Sequence, residues 1–237
     1  LNDPHTNFFP PADKQNFDIG MSGKLEGIGA TLVERDGYIK VERIVPGSAS
    51  YRQGDLKAGD LIIKVAQGSG EPVDVVGMDI DDAIQLIRGK KGTEVRLTVK
   101  KPDGSIKVVP IVRDVVVIEE GFAKSALTVF GGKTFGVINL PSFYADFNER
   151  GGRSSAQDVR RELFKLRDAG VQGIVLDLRN NGGGSLRDAV EMAGLFFKSG
   201  PVVQVRNRQG DVEVLSDYDE QVVWDGPLVI LTNAFSA

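Results

Sequence analysis

The 237-residue chain has no cysteine and a single histidine. The first absence removes disulfides, thiolate nucleophiles and cysteine-bound zinc together. The second leaves only His5, in Asp3-Pro4-His5-Thr6, which reads as a surface or turn residue. Multi-histidine metal sites are excluded, and a Ser-His-Asp triad would have to recruit a residue near the chain's end. No metal and no cofactor is expected. No apolar run approaches the roughly 18 residues that span a bilayer, so direct membrane insertion is not expected. Basic residues are not in excess: 29 against 33 acidic ones give a net charge of -4, which offers no electrostatic case for nucleic acid. The remainder, 41% hydrophobic and 26% charged, is the composition of an ordinary globular protein of one large or two smaller domains. The chain opens on Leu1 rather than Met and carries no signal peptide, which points to a piece of a longer protein.

Three textures follow one another. Residues 1–24 carry Pro4, Pro10 and Pro11 without a sustained period and read as the tail of a preceding segment. Residues 25–113 read as a mostly β module. Strands are expected at Ile28–Val33, Ile39–Val45, Leu61–Val65, Val95–Val99 and Ile106–Val112, the fourth alternating with Arg96, Thr98 and Lys100. Its one helix starts at the N-cap Asp79 and places Ile80, Ala83, Ile84 and Ile87 on one face. After a joining stretch, Asp114–Lys133, residues 114–237 turn α/β. A strand at Phe135–Leu140 precedes a helix from the capping box of Ser154 and Gln157 to Ala169. A strand at Gly173–Leu178 leads into a helix from Leu186 to about Phe197, with Ser185 as N-cap. A hairpin then precedes Leu228–Thr232, an apolar run suited to a central parallel strand. Sites in such folds gather at the carboxyl ends of the strands.

The β module resembles a bacterial PDZ domain. The likeness rests on Glu26-Gly27-Ile28-Gly29-Ala30, Val45-Pro46-Gly47-Ser48-Ala49, Leu56-Lys57-Ala58-Gly59-Asp60-Leu61-Ile62, and Ile84-Gln85-Leu86-Ile87-Arg88-Gly89. The glycines let successive N–H groups turn toward one point, a nest for a terminal carboxylate, and the following strand can accept a ligand as an added strand. The residues expected at the peptide are Leu25, Glu26, Gly27, Ile28, Gly29 and Ala30, with Ile80, Ile84 and Ile87 from the helix. These apolar helix residues cannot all face a groove, since some must close the core.

The stretch Gly173-Ile174-Val175-Leu176-Asp177-Leu178-Arg179-Asn180-Asn181-Gly182-Gly183-Gly184-Ser185-Leu186 runs from buried strand through three glycines into a helix. Bare amides beside the positive end of a helix can stabilise developing negative charge. Neither nucleotide-binding glycine pattern is present. Together with the PDZ-like module, this stretch, Asp3-Pro4-His5-Thr6, Gly200–Arg206 and Gly226-Pro227-Leu228-Val229 make the chain similar to the carboxyl-terminal processing peptidases, most closely their tail-specific branch. The resemblance implies an α+β chain: a PDZ-like domain followed by part of an α/β core related to the Clp peptidase and crotonase folds. It implies a serine endopeptidase of the periplasm or cell envelope that recognises apolar C-terminal tails of protein substrates. A Ser/Lys dyad would do the chemistry, with Gly184, or alternatively Gly183, giving an oxyanion donor. Phe235-Ser236-Ala237 matches the start of the family's serine run, so nucleophile and lysine are expected beyond residue 237 and the 237 residues alone are expected to be inactive. Ser236 then reads as a loop residue beside the site. The rival reading is a non-catalytic PDZ adaptor with a protease-like remnant. Asp177 and Arg179 read as loop-ordering residues, Asp217–Glu220 as a solvated acidic face, and Phe143-Tyr144 as channel lining or core.

Overall fold

A computed structural model describes residues 10–147, 152–218 and 220–237. His5 and Asp219 therefore lie outside the described residues. The chain divides into two units: Lys24–Val117, and a second one assembled from the segments on either side, up to Gly23 and from Ile118. The segment read as a featureless tail holds a helix, α1 (Pro11–Ser22), with proline in its first turn, where a missing N–H costs nothing. It belongs with the outer unit, where the Ala145 N–H donates to the Met21 carbonyl at 3.0 Å.

The inner unit is an antiparallel sheet. Its elements are β1 (Lys24–Gly27), β2 (Ala30–Arg35), β3 (Tyr38–Ile44), α2 (Ala49–Gln53), β4 (Leu61–Gln67), β5 (Val73–Asp74), α3 (Ile80–Ile87), β6 (Glu94–Lys100), β7 (Ile106–Val112) and β8 (Asp114–Val117). The main order is β2-β3-β4-β6-β7, with β5 on β4, so β2 and β7 are its margins. The expected alternation holds in β6, where Val95, Leu97 and Val99 are buried and Arg96 and Lys100 exposed. The unit does not end at Arg113. Asp114–Val117, read as part of a joining stretch, is a strand that pairs antiparallel with β1, Lys24 facing Val117 and Gly27 facing Asp114.

The outer unit continues with β9 (Lys124–Phe130), β10 (Lys133–Asn139), α4 (Ser155–Asp168), β11 (Ile174–Asp177), α5 (Leu186–Ala193), β12 (Gly200–Arg206), β13 (Val212–Asp217) and β14 (Leu228–Leu231). One sheet runs β14-β11-β10-β9, parallel at β14-β11 and β11-β10 and antiparallel at β10-β9. β12 and β13 form a separate hairpin. Ile138, Leu163, Leu166, Ile174 and Leu176 join the sheet and α4 in one core. Among the described residues β14 stands at the sheet's margin rather than at its centre. α5 is also shorter than its apolar run suggests. It stops at Gly194, where a side chain would collide with the Asp217 carboxylate.

Two helix N-termini meet at one buried carboxylate. Ser154 caps α4 and Ser185 caps α5, their hydroxyls accepting from the Gln157 and Asp188 amides. Asp188 Oδ2 accepts from Ser185 Oγ at 2.7 Å, while Oδ1 accepts from Ser154 Oγ at 2.5 Å, Ser155 Oγ at 3.3 Å and the Ala156 amide at 3.3 Å. No cation lies within salt-bridge distance among the described residues. Hydroxyls, an amide and the two helix dipoles hold this charge instead. Asp188→Ala should leave these donors unpaired and lower stability by about 2–4 kcal/mol, with Asp188→Asn intermediate, as read from urea denaturation of the chain.

Candidate functional site

The glycine turn follows the C-terminal end of β11. Asp177 accepts from the Arg179 amide at 3.0 Å, from Nε at 2.9 Å and from Nη2 at 2.6 Å. The Arg179 guanidinium holds the Asp177 carboxyl below the usual carboxylate range. This pair folds the strand end back on itself, as its spacing suggested, and both partners are occupied with one another. The next anchor is Asn181, which is 1% exposed. Its Nδ2 donates to the Leu140 carbonyl at 3.0 Å, and its Oδ1 accepts from the Gly183 amide at 2.9 Å.

A neighbouring segment then fixes the last glycine. The Phe143 amide donates to the Gly183 carbonyl at 2.9 Å, and the Phe143 carbonyl accepts from the Ser185 amide at 2.6 Å. Phe143 and Gly184 thus form an isolated parallel bridge. In such a bridge the residues flanking Gly184 make the bonds, and its own N–H and C=O face the other way. A Cβ on Gly184 would sit 2.4 Å from the Phe143 carbonyl oxygen, and φ is 139°. Only glycine meets both conditions. Of the two candidate donors, Gly183 has its N–H taken by Asn181. The Gly184 N–H meets no acceptor among the described residues.

The segment after β14 is fastened alongside. Asn180, at φ 64°, exchanges two bonds with Asn233: its amide donates to Asn233 Oδ1 at 3.0 Å, and Asn233 Nδ2 donates to Asn180 Oδ1 at 2.8 Å. The Ala237 amide donates to the Asn181 carbonyl at 2.9 Å, and the Ala237 Cβ lies 3.4 Å from where a Cβ on Gly183 would stand. Ser236 Oγ donates to the Leu178 carbonyl at 2.7 Å and accepts from the Asn233 amide at 3.0 Å. Its hydroxyl is a structural tie. Asn181 and Asn233 escaped the sequence reading. The Asn-Gly pair was a turn signal for the first, but nothing local marks the second.

Tyr144 is core rather than channel lining. It is 1% exposed, its hydroxyl donates to Asp158 Oδ2 at 2.6 Å and accepts from the Ala123 amide at 3.0 Å. Burial, then the bond to Asp158, pushes its phenol well above the ordinary range. Phe143 packs its ring against the same core and contributes backbone to the turn. Tyr218 and Glu220 are exposed and Asp217 half-buried. Among the described residues no cluster of acidic or histidine side chains could hold a metal ion.

In the inner unit Gly27, Ile28 and Gly29 are all buried, and the last two lie between β1 and β2 rather than inside a strand. The Ile28 carbonyl accepts from the Ser50 amide at 2.9 Å. That of Gly29 accepts from the Val45 amide at 2.9 Å and from Ser48 Oγ at 3.1 Å. With both carbonyls tied to the first turn of α2 and the residues before it, the Ile28 and Gly29 amides bond to no backbone carbonyl in the described turns and loops. Ile28 turns its side chain into the core. Ile87 does the same, together with Ala83, and Ile80 packs against that core. Ile84 is half-buried and outside the cluster. Leu25 is half-buried, Glu26 exposed, and Ala30 opens the marginal strand β2.

Residues 17–100 match the PDZ domain and residues 134–237 match peptidase family S41. The tail-specific protease of Haemophilus influenzae is 39% identical over 99% of this chain and 33% of its own length. The carboxy-terminal processing protease CtpA of Bacillus subtilis is 32% identical over 98% of this chain and 46% of its own. The chain thus spans between a third and a half of the length of these relatives. The PDZ domain of a carboxy-terminal protease from Vibrio cholerae, solved in complex with peptide, is 43% identical and covers 39% of this chain and 97% of that one, with a TM-score of 0.38. The chain thus carries a PDZ domain followed by a peptidase family S41 segment, and across almost all of its residues it is similar to tail-specific and carboxy-terminal processing proteases.

Proposed function

We propose that these residues are the recognition module and the oxyanion half of a serine endopeptidase of the cell envelope, one that captures apolar C-terminal tails of proteins. The Gly184 amide carries this reading. It is held by Phe143 on one side and the Asn181 cage on the other, and it is the member of the glycine pair whose N–H meets no acceptor among the described residues. An amide fixed in advance on an exposed residue suits a charge that exists only in a transition state.

In the proposed reaction a serine hydroxyl attacks the scissile carbonyl while a lysine takes its proton. The lysine must be neutral to do so, which burial away from carboxylates achieves. The carbonyl oxygen becomes an oxyanion that accepts from the Gly184 N–H and from the amide following the serine. Both side chains are proposed to lie in the parent protease past Ala237, whose backbone is already bound to the glycine turn through Asn181. Tail capture is proposed in the inner unit. A terminal carboxylate would receive the Ile28 and Gly29 amides, the chain behind it would pair with the open edge of β2, and its last apolar side chain would meet Ile84.

Three outcomes are expected. In the parent protease, Gly184→Ala should lower kcat by about 10²–10³-fold with a much smaller change in KM. A loss confined to KM would remove Gly184 from the chemistry. In the chain itself, Ile84→Ser should weaken binding of an apolar-ended peptide by about tenfold at nearly unchanged stability, whereas Ile87→Ser should cost about 3 kcal/mol or more in urea unfolding. Purified 1–237 should cleave no apolar-tailed protein, and serine-dependent cleavage by it would contradict the assignment of the nucleophile. A parent protein that binds tails without hydrolysing them would leave the adaptor reading.

A further inference from the structure

Arg113 sits where β7 gives way to β8 and is 3% exposed. All its recorded partners are neutral. Nε donates to the Ile87 carbonyl at 2.8 Å, Nη1 to Thr93 Oγ1 at 2.9 Å, and Nη2 to Gln67 Oε1 at 2.7 Å and the Leu86 carbonyl at 3.1 Å. No carboxylate lies within salt-bridge distance of it among the described residues. The adjacent acid, Asp114, is held by Arg52 at 2.6 Å and Lys91 at 3.3 Å. A buried guanidinium stays charged, and without a counter-ion it retains most of its field.

The surroundings direct that field. Two of the accepting carbonyls end α3, the helix that carries Ile84. Gly89, just past the helix, has φ 156°, and a Cβ there would lie 3.0 Å from the Arg113 guanidinium carbon, so backbone and cation are in close contact. The Gly89 amide in turn donates to the Glu26 carbonyl at 3.5 Å, at the entrance to the Gly27–Ala30 loop. Asp114, next to Arg113, faces Gly27 across the β1–β8 ladder. One buried cation is thus connected through Gly89 and the Glu26 carbonyl to the start of that loop.

We propose that Arg113 is a specificity-determining residue for tail capture. Its unneutralised charge selects peptides with a free terminal carboxylate, and its fork sets the end of α3 against the Gly27–Ala30 loop. The ligand's carboxylate would supply the counter-charge that Arg113 does not meet among the described residues, sensed through backbone rather than touched. This rests on the reading that the loop seats a terminal carboxylate.

The test uses the chain and a fluorescent hexapeptide ending in Val-Ala-Val, as free acid and as amide. A chain that binds the two forms alike overturns the carboxylate reading itself. Where the unaltered chain prefers the acid, Arg113→Met should reduce that preference by about tenfold while leaving the amide's affinity in place, and Arg113→Lys should restore most of it. A folded Arg113→Met chain that keeps the full preference overturns the proposal. So does one that loses affinity for acid and amide equally, because a helix cap alone would do that. If the methionine variant fails to fold, the Arg113 Nε–H resonance of the unaltered chain decides. It should shift on titration with the acid and not with the amide, and an equal response to both overturns the proposal.

Discussion

The carboxylate of Asp188 is the constraint on which the outer unit's geometry turns. It belongs to the first turn of α5 and accepts bonds from the first turn of α4, so one side chain fixes the starting points of two helices. The glycine turn ends where α5 begins, and the Phe143 segment passes beside that end. If the two helix origins moved independently, the bridge between Phe143 and Gly184 would lose its register. Two positive helix ends also repel one another, and a shared negative charge at their junction removes that repulsion without a cation.

Gly183 and Gly184 do different jobs. Gly183 closes a small ring with the Asn181 side chain and lends its carbonyl to Phe143. Gly184 approaches a backbone carbonyl more closely than any side chain would allow, and the same bridge turns its amide outward. The sequence pattern left these two glycines as alternative donors, and the hydrogen-bond arrangement separates their roles. Rigidity here comes from neutral amides and carbonyls, with the ion pair of Asp177 and Arg179 kept at the strand end.

Much of this was legible in local chemistry. Alternation marked β6, the 3.6-residue period marked α3 and α4, and Ser154, Ser185 and Asp79 marked their helix starts because caps are local bonds. What escaped depends on distant partners. α1 has a weak apolar stripe, and β9 is exposed along almost its whole length, so neither carries a periodic signal. The apolar run past Met192 suggested a longer α5, but after Ala193 the chain tightens into turns in which the Leu195 and Phe196 amides bond to the Met192 and Ala193 carbonyls. At the site, Asp188 was visible as a first-turn acid, while its bonds to Ser154, Ser155 and Ala156 span more than thirty residues of sequence. Likewise α3 showed four candidate apolar residues, and only packing distinguished Ile84 from Ile87.

The pairing of β1 with β8 bears on how such a chain could fold. The inner unit interrupts the outer one, and its first and last residues, Lys24 and Val117, face each other at the end of that ladder, with the Ile118 amide bonded to the Gly23 carbonyl next to it. To the outer unit, the whole insertion is therefore a loop whose ends are already closed once the insertion has formed. The entropy of bringing Gly23 and Ile118 together is met by the insertion's own folding, and it grows only logarithmically with the insertion's length. Folding in that order, inner unit first, spares the outer unit a long-range closure. It also explains in physical terms how a unit of this size can be threaded into the middle of another fold without unravelling it.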